Sequence, residues 1–370
     1  MKFSTSKTEL QKAFQKLSKA TPTRSTLPIL GCVLIESSDD KTTLRATDLE
    51  LTIESEISVS LEDAGSVALP LKQLFDITNE LPETRITISV DDRNKVEMKT
   101  DTGLYDFMGK PADEFPATPE IDTTRELSVA AETLKSIIDA TLFAVSKDDL
   151  KPALTGVLFR FGPKSLTAVS TDGHRLVRHE RKDFKSDNFT GDIIAPRKFL
   201  SYLSTQLSTG DITILAGENH LTAKIGQDTI ITRTLGERFP DYESVIPGDN
   251  ENTLKTEKDV ILGAIRRVSI FSNRSTHQVA LNLSGGKCLI TTEDPEMSSK
   301  AQEELPAEYD GDDIVIGYNS EYLKDVINHI NGKTVFIRLN TPISASLFSS
   351  EVDEDNVDNL MLLMPIRLND

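Results

Sequence analysis

Thr171-Asp172-Gly173-His174-Arg175-Leu176 closes an apolar, strand-like run that begins near Leu154. Its Thr-Asp pair has counterparts elsewhere in the chain. Thr47-Asp48 closes a similar run that begins near Leu27-Pro28, and Thr292-Glu293-Asp294 does the same in the last third. A second landmark travels with the first: Pro70-Leu71-Lys72 with Phe75, Pro196-Arg197-Lys198 with Phe199, and Gly317-Tyr318-Asn319 with Tyr322. Phe115-Pro116 and Phe239-Pro240 mark the ends of the first two copies. The period is about 120–125 residues, and self-similarity at a fixed period is a better guide to fold than any single motif. The 370 residues therefore read as three copies of one domain, 1–122, 123–247 and 248–370. A copy of that size can bury roughly two-thirds of its surface around its own core.

Each copy reads as two similar halves, each a short strand, a helix, then two or three strands. In the first copy the spacing predicts a helix over Ser6 to Ala20, with Leu10, Ala13, Phe14 and Leu17 on one face and Lys12, Lys16 and Lys19 on the other. A second helix is expected from Leu71 to Leu81, stopped by Pro82. The second copy repeats the pattern at Ala131 to Val145 and Lys198 to Leu207. The third repeats it around Ile261 to Val268 and from Tyr322 to an Asn331-Gly332 stop. A helix with one apolar stripe must bury it, and an alternating strand face is its natural partner. The expected class is α+β, with two helices per domain packed on antiparallel sheets.

Charge is uneven. The chain carries a formal −18, from 41 Lys and Arg against 59 Asp and Glu. The first third holds 14 basic and 22 acidic residues, the second 16 of each, and the last 11 and 21. Such a balance alone argues against a nucleic-acid partner, which normally requires a basic footprint. Net charge does not report where charges sit, however. Basic residues recur on the polar helix faces in all three copies. Cys32 and Cys288 lie far apart in apolar runs, which predicts two buried thiols in a reducing cytoplasm. No signal-like or membrane-spanning stretch is present in the sequence.

Catalytic motifs are lacking. Asp172 and His174 invite a catalytic reading, but Gly173 implies a turn and no Gly-x-Ser-x-Gly accompanies them. The five histidines show no metal-ligand spacing. Gly285-Gly286-Lys287-Cys288 lacks the earlier glycine of a phosphate loop and reads as a hairpin turn. The expectation is a non-catalytic protein with no cofactor and no metal.

Four segments together carry a family resemblance: Leu27-Pro28-Ile29-Leu30-Gly31, Thr171 to Leu176, Arg238-Phe239-Pro240-Asp241-Tyr242, and Met364-Pro365-Ile366-Arg367-Leu368. In their order and over the whole length, the chain resembles the bacterial sliding clamps, the beta subunits of DNA polymerase III. The resemblance implies a head-to-tail homodimeric ring with helices inside and sheets outside. It implies double-stranded DNA bound without sequence preference, and replicative polymerase, clamp loader and other clamp-binding proteins as partners. The alternative left open is a repeat-built interaction scaffold that never encircles DNA.

By resemblance, Arg24, Arg197, Lys198 and Arg274 face DNA, with Asn319 and Tyr322 beside them. Lys12 and Arg267 join from helical position, and Lys151 from a loop that otherwise departs from the family pattern at Asp148, Pro152 and Ala153. A partner-peptide pocket is implied at Leu154, Thr171, Gly173, His174, Arg175, Leu176, Pro240, Val245, Leu362, Leu363, Met364, Pro365, Ile366 and Arg367. Ser244 and Ala345 stand there where relatives commonly carry arginine and serine, and Asn369-Asp370 extends past the usual end. The ring joint is implied to bring Gln73, Tyr105 and Phe107 against Ile270, Phe271, Glu303 and Glu304.

Overall fold

The structure is a computed structural model that describes residues 1–39, 41–121, 125–186, 189–351 and 355–368. The expected boundary at 122/123 and the Asn369-Asp370 extension lie outside the described residues. Six α-helices are present among those described: α1 Lys7–Leu17, α2 Leu71–Glu80, α3 Ala131–Thr141, α4 Arg197–Gln206, α5 Lys258–Ser269 and α6 Ser320–Asn328. Each follows a strand and precedes three more, so the order strand, helix, three strands occurs six times. Two short strands, Ser60–Asp63 and Glu308–Tyr309, interrupt this pattern in the first and third copies.

The helices form where the apolar spacing places them. Ser6 caps α1 by accepting the Glu9 N–H at 3.1 Å, and Leu10, Ala13, Phe14 and Leu17 are all buried. Full burial of a large aliphatic or aromatic side chain stabilises by about 1.5–3 kcal/mol, so this stripe fixes the helix on its sheet. The expected extension to Ala20 is a tighter 3-10 turn. The last helix stops at Asn328, short of Asn331-Gly332. There Lys258 Nζ donates to the Asn328 and Ile330 carbonyls at 2.9 and 2.6 Å, capturing acceptors that a longer helix would have used.

By packing, the chain divides into two compact units, Met1–Lys135 with Lys198–Thr234, and Ser136–Arg197 with Leu235–Asp370. The first holds a five-stranded sheet in the order Ser60–Asp63, Lys2–Ser6, Arg85–Val90, Lys95–Lys99, Leu104–Met108. Its eight-stranded sheet runs Glu126–Ala130, Asp211–Ala216, His220–Ile225, Asp228–Arg233, Leu51–Ile57, Thr42–Thr47, Cys32–Ser37, Gly65–Pro70. The second unit holds a four-stranded sheet in the order Ser299–Pro306, Lys287–Asp294, Gln278–Ser284, Ile314–Asn319. Its nine-stranded sheet joins the strands Gly191–Pro196, Gly156–Phe161, Leu166–Thr171 and Arg175–Arg181 to Val357–Leu363, Ser346–Ser350, Thr334–Leu339, Asn252–Glu257 and Glu308–Tyr309.

The two large sheets are built by one rule. In each, the last strand of the triplet after an odd-numbered helix pairs antiparallel with the last strand of the triplet after an even-numbered helix. Leu51–Ile57 meets Asp228–Arg233, with Ile53 opposite Ile230. Arg175–Arg181 meets Val357–Leu363, with Leu176 opposite Leu362. Both sheets therefore cross from one sequence copy to another, a long-range pairing that local periodicity does not report. The Gly285-Gly286 pair is the expected hairpin turn, with Ser284 opposite Lys287. Both cysteines are free and buried, and burial pushes the Cys288 thiol up to about 12.

Candidate functional site

The Thr171–Arg175 turn is held by its own side chains. Thr171 Oγ1 donates to the Arg175 carbonyl at 2.7 Å and accepts the Gly173 N–H at 3.1 Å. Asp172 Oδ1 accepts the His174 and Arg175 N–H groups at 2.9 and 3.0 Å. Gly173 sits at φ +91°, a left-handed conformation that suits glycine. Asp172 Oδ2 accepts from Arg175 Nε at 3.0 Å. The carboxylate is thus committed to the turn and to Arg175, not presented to His174 as a catalytic partner.

Arg175 is buried, and each of its three guanidinium nitrogens has a partner. Its Nη1 reaches Asp325 on α6 at 2.7 Å, and its Nη2 donates to the Phe143 carbonyl at 2.8 Å. The guanidinium carbon lies 4.7 Å from the Tyr322 ring centre and 5.3 Å from that of Phe143. The exposed His174 ring stacks near Tyr322 at 5.6 Å, and burial beside Asp172 raises the Tyr322 hydroxyl above its ordinary range. Arg175 therefore acts as a lock between the turn and α6 and not as a free polar edge of a pocket. Tyr322, expected at DNA, packs inside this lock.

Next to the turn lies an apolar cluster. Leu158, Val169, Leu176, Ile194, Phe239, Tyr242, Ala345 and Leu362 are buried together, with Leu154, Ile246, Leu347 and Leu360 half-buried against them. Val245 is 52% exposed and Met364 38% exposed, so both offer apolar surface at its margin. Pro240 and Arg367 are exposed, and Pro365 and Ile366 half-buried. Thr171, Leu176 and Leu362 are buried beneath. Leu363 departs from the expectation: alternation along Val357–Leu363 turns it to the opposite face, into the core with Val177, Ile265 and Tyr318. Sequence reasoning missed Ile246, Leu347 and Leu360. Only the cross-copy pairing of Arg175–Arg181 with Val357–Leu363, which carries Ser346–Ser350 on its far side, brings the last two here.

The C-terminal segment is tied down by its backbone. The Met364 N–H donates to the His174 carbonyl and the Ile366 N–H to the Gly317 carbonyl, each at 2.8 Å. A Cβ on Gly317 would lie 2.8 Å from the Ile366 carbonyl oxygen, so glycine is needed for this backbone approach.

The expected cationic set divides. Lys12, Arg24, Lys151, Arg197 and Arg274 are exposed. Lys198 is exposed but pairs with Asp48. Arg267 is forked onto Glu303, with Nε to Oε2 at 3.0 Å, and this partner holds Glu303 below the ordinary carboxylate range. A residue expected at DNA and one expected at the ring joint thus occupy each other. Lys16, grouped by spacing with Lys12 and Lys19, instead reaches Asp228 at 2.6 Å, where Ser55 also donates at 2.6 Å. Asn319 caps α6 through the Glu321 and Tyr322 N–H groups, which commits its side-chain oxygen to structure.

The joint residues lie on two open sheet edges or on the helices beside them. In the first unit, Gln73, Tyr105 and Phe107 line one groove of 620 Å³ with Pro70, Leu74 and Ile77. Edge residues Leu104 and Met108 are 58% and 60% exposed. In the second unit Ile270 and Phe271 follow α5, 77% and 46% exposed, and Glu303 and Glu304 lie on the edge strand Ser299–Pro306. Among the described residues no helix is long and apolar enough to cross a membrane. None of their His, Cys, Asp and Glu side chains form a group of three or more that could hold a metal ion.

Comparison with known proteins places this geometry. Models of the DNA polymerase III beta subunit match in chain order: the N-terminal domain over residues 1–119, the central domain over 128–241 and the C-terminal domain over 243–367. The beta sliding clamp of Pseudomonas aeruginosa is 31% identical over 374 residues, and that of Vibrio cholerae 29% over 371, each covering both chains fully. Solved clamp structures from Bartonella birtlesii and Pseudomonas aeruginosa, each bound to griselimycin, superpose with TM-scores of 0.94 and 0.92 at 27% and 30% identity, again over 100% of both chains. The chain belongs to the DNA polymerase III beta subunit family, the bacterial sliding clamps.

Proposed function

We propose that this chain acts as a ring-forming processivity factor that encircles duplex DNA and carries the replicative polymerase and other partners on a peptide cleft. The carrying observation is the strand-pairing rule. It is satisfied twice within the chain and leaves two strands unmatched: Ser299–Pro306, the last of an odd-helix triplet, and Leu104–Met108, the last of an even-helix triplet. Pairing these edges between two copies repeats the rule and closes a head-to-tail dimer. Exposed strand edges, one carrying Tyr105 and Phe107 and the other beside Ile270 and Phe271, otherwise invite uncontrolled association.

Within such a ring Lys12, Arg24, Lys151, Arg197, Lys198 and Arg274 would contact phosphates without reading bases. Contacts of that type are individually weak, with non-specific dissociation constants of ~10⁻⁴–10⁻⁶ M at physiological salt. Retention therefore comes from closure, and movement along the duplex stays cheap. Partner segments would dock on the Leu154–Leu176–Leu362 cluster between Val245 and Met364. No step of this scheme requires catalysis or a cofactor, and its place is the cytoplasm, with the chromosome.

The joint is tested by mass in solution. The wild type should run at about twice 40.9 kDa. Phe107→Asp with Ile270→Asp should give the single-chain mass at micromolar concentration, because each buries a charge in an apolar contact. A double variant that remains dimeric would remove these edges from the joint.

A further inference from the structure

We infer that Arg160 is a positioning residue for the peptide cleft, holding the segment that carries Pro240 and Val245 at a fixed distance from the sheet. The inference rests on the cleft reading given above. The segment from Phe239 to Ile246 has no strand pairing. Its backbone bonds among the described residues are local, from Val245 to Tyr242 at 3.4 Å and from Ile246 to Glu243 at 3.2 Å. What ties it to the sheet is side-chain contact: the buried Phe239 and Tyr242 in the apolar cluster, and Arg160.

Arg160 lies on Gly156–Phe161 directly opposite Asp192. Its Nε bonds both Asp192 carboxylate oxygens at 3.2 and 3.4 Å, and Nη2 adds a third contact at 3.3 Å. With the fork anchored from one side, Nη1 is aimed at the segment. It donates to the Tyr242 hydroxyl and to Glu243 Oε1, both at 3.2 Å. The guanidinium carbon also lies 5.5 Å from the Tyr242 ring centre. An exposed ion pair by itself contributes little. Here one planar group meets a strand partner, a buried ring and the 3-10 turn Glu243–Val245 at once, a geometry a lysine cannot copy. Val245, two residues past Glu243, is the apolar side chain that this arrangement presents.

The test uses the full-length clamp, an uncharged leucine- and phenylalanine-containing peptide amide followed by calorimetry, and amide exchange read by segment. Arg160→Gln should weaken the peptide about five- to tenfold and speed exchange of residues 242–246 about tenfold. Exchange in Gly156–Phe161 and the dimer mass should stay as in the wild type. Arg160→Lys keeps the charge opposite Asp192 and should still show fast exchange at 242–246. The inference is overturned if either variant leaves affinity and 242–246 exchange within twofold of wild type, or if exchange rises throughout the sheet. Met364→Glu separates the two readings. If it binds the peptide as well as the wild type does, the cleft assignment fails, while the exchange data still decide whether Arg160 holds the segment.

Discussion

Arg175→Ala should destabilise the second unit by about 3–5 kcal/mol, the cost of removing one partner from a buried ion pair. The reason is local and specific. Asp172 has a side chain only 12% exposed and would lose its ion-pair partner, and the Phe143 carbonyl and the faces of two rings would lose theirs. Asp325 is 48% exposed and can be resolvated, which places the expected value toward the lower end. Amide exchange in the strand Arg175–Arg181 reads this directly, and its protection should fall by about a hundredfold or more. Arg175→Lys should recover only part of the loss, since one ammonium cannot serve Asp172, Asp325 and the Phe143 carbonyl together. A change below about 1 kcal/mol would show that water replaces the lock, and that the turn is held by Thr171 and Asp172 alone.

Removing Met364 to Asp370 should abolish partner-peptide binding while leaving the dimer mass unchanged. Met364, Pro365 and Ile366 form the margin of the cleft, and two of their N–H groups anchor the segment at His174 and Gly317. Gly317 lies on Ile314–Asn319, at the opposite edge of its four-stranded sheet from Ser299–Pro306. The proposed ring joint therefore lies at the sheet edge away from the one that residues 364–368 contact. The point variant Met364→Glu, at a half-exposed side chain, should weaken the peptide about a hundredfold without loss of stability, because a carboxylate must be desolvated beneath the bound apolar side chains. Loss of binding and of the dimer together on truncation would make the tail a structural element and remove it from the cleft.

The helices were legible because their information is local: Leu10, Ala13, Phe14 and Leu17 share a face by spacing alone. The repeat was legible for the same reason, as Thr47-Asp48 and Thr171-Asp172 mark equivalent turns. What the sequence hid depends on pairing between distant segments. Nothing near Leu347 or Leu360 announces that a strand from another copy will bring them beside Leu154. Charged residues were read by helix face, which predicts direction but not partner. Lys16 bends to Asp228 and Arg267 to Glu303, each found only when a strand from elsewhere supplies the carboxylate. Leu363 shows the strand analogue, since its register, one residue from Leu362, sends it to the other side. The helix cap made by Asn319 and the place of the Tyr322 ring beside Arg175 were likewise hidden, since both depend on neighbours that spacing does not name.

Retention on DNA of defined topology tests the account most directly. The wild-type dimer, loaded onto a covalently closed circle, should remain bound through a wash at elevated salt and dissociate once a single double-strand cut creates ends. Loss at the same rate before and after the cut, or retention on the linear product, would mean that the chain holds DNA by surface contact and not by encirclement.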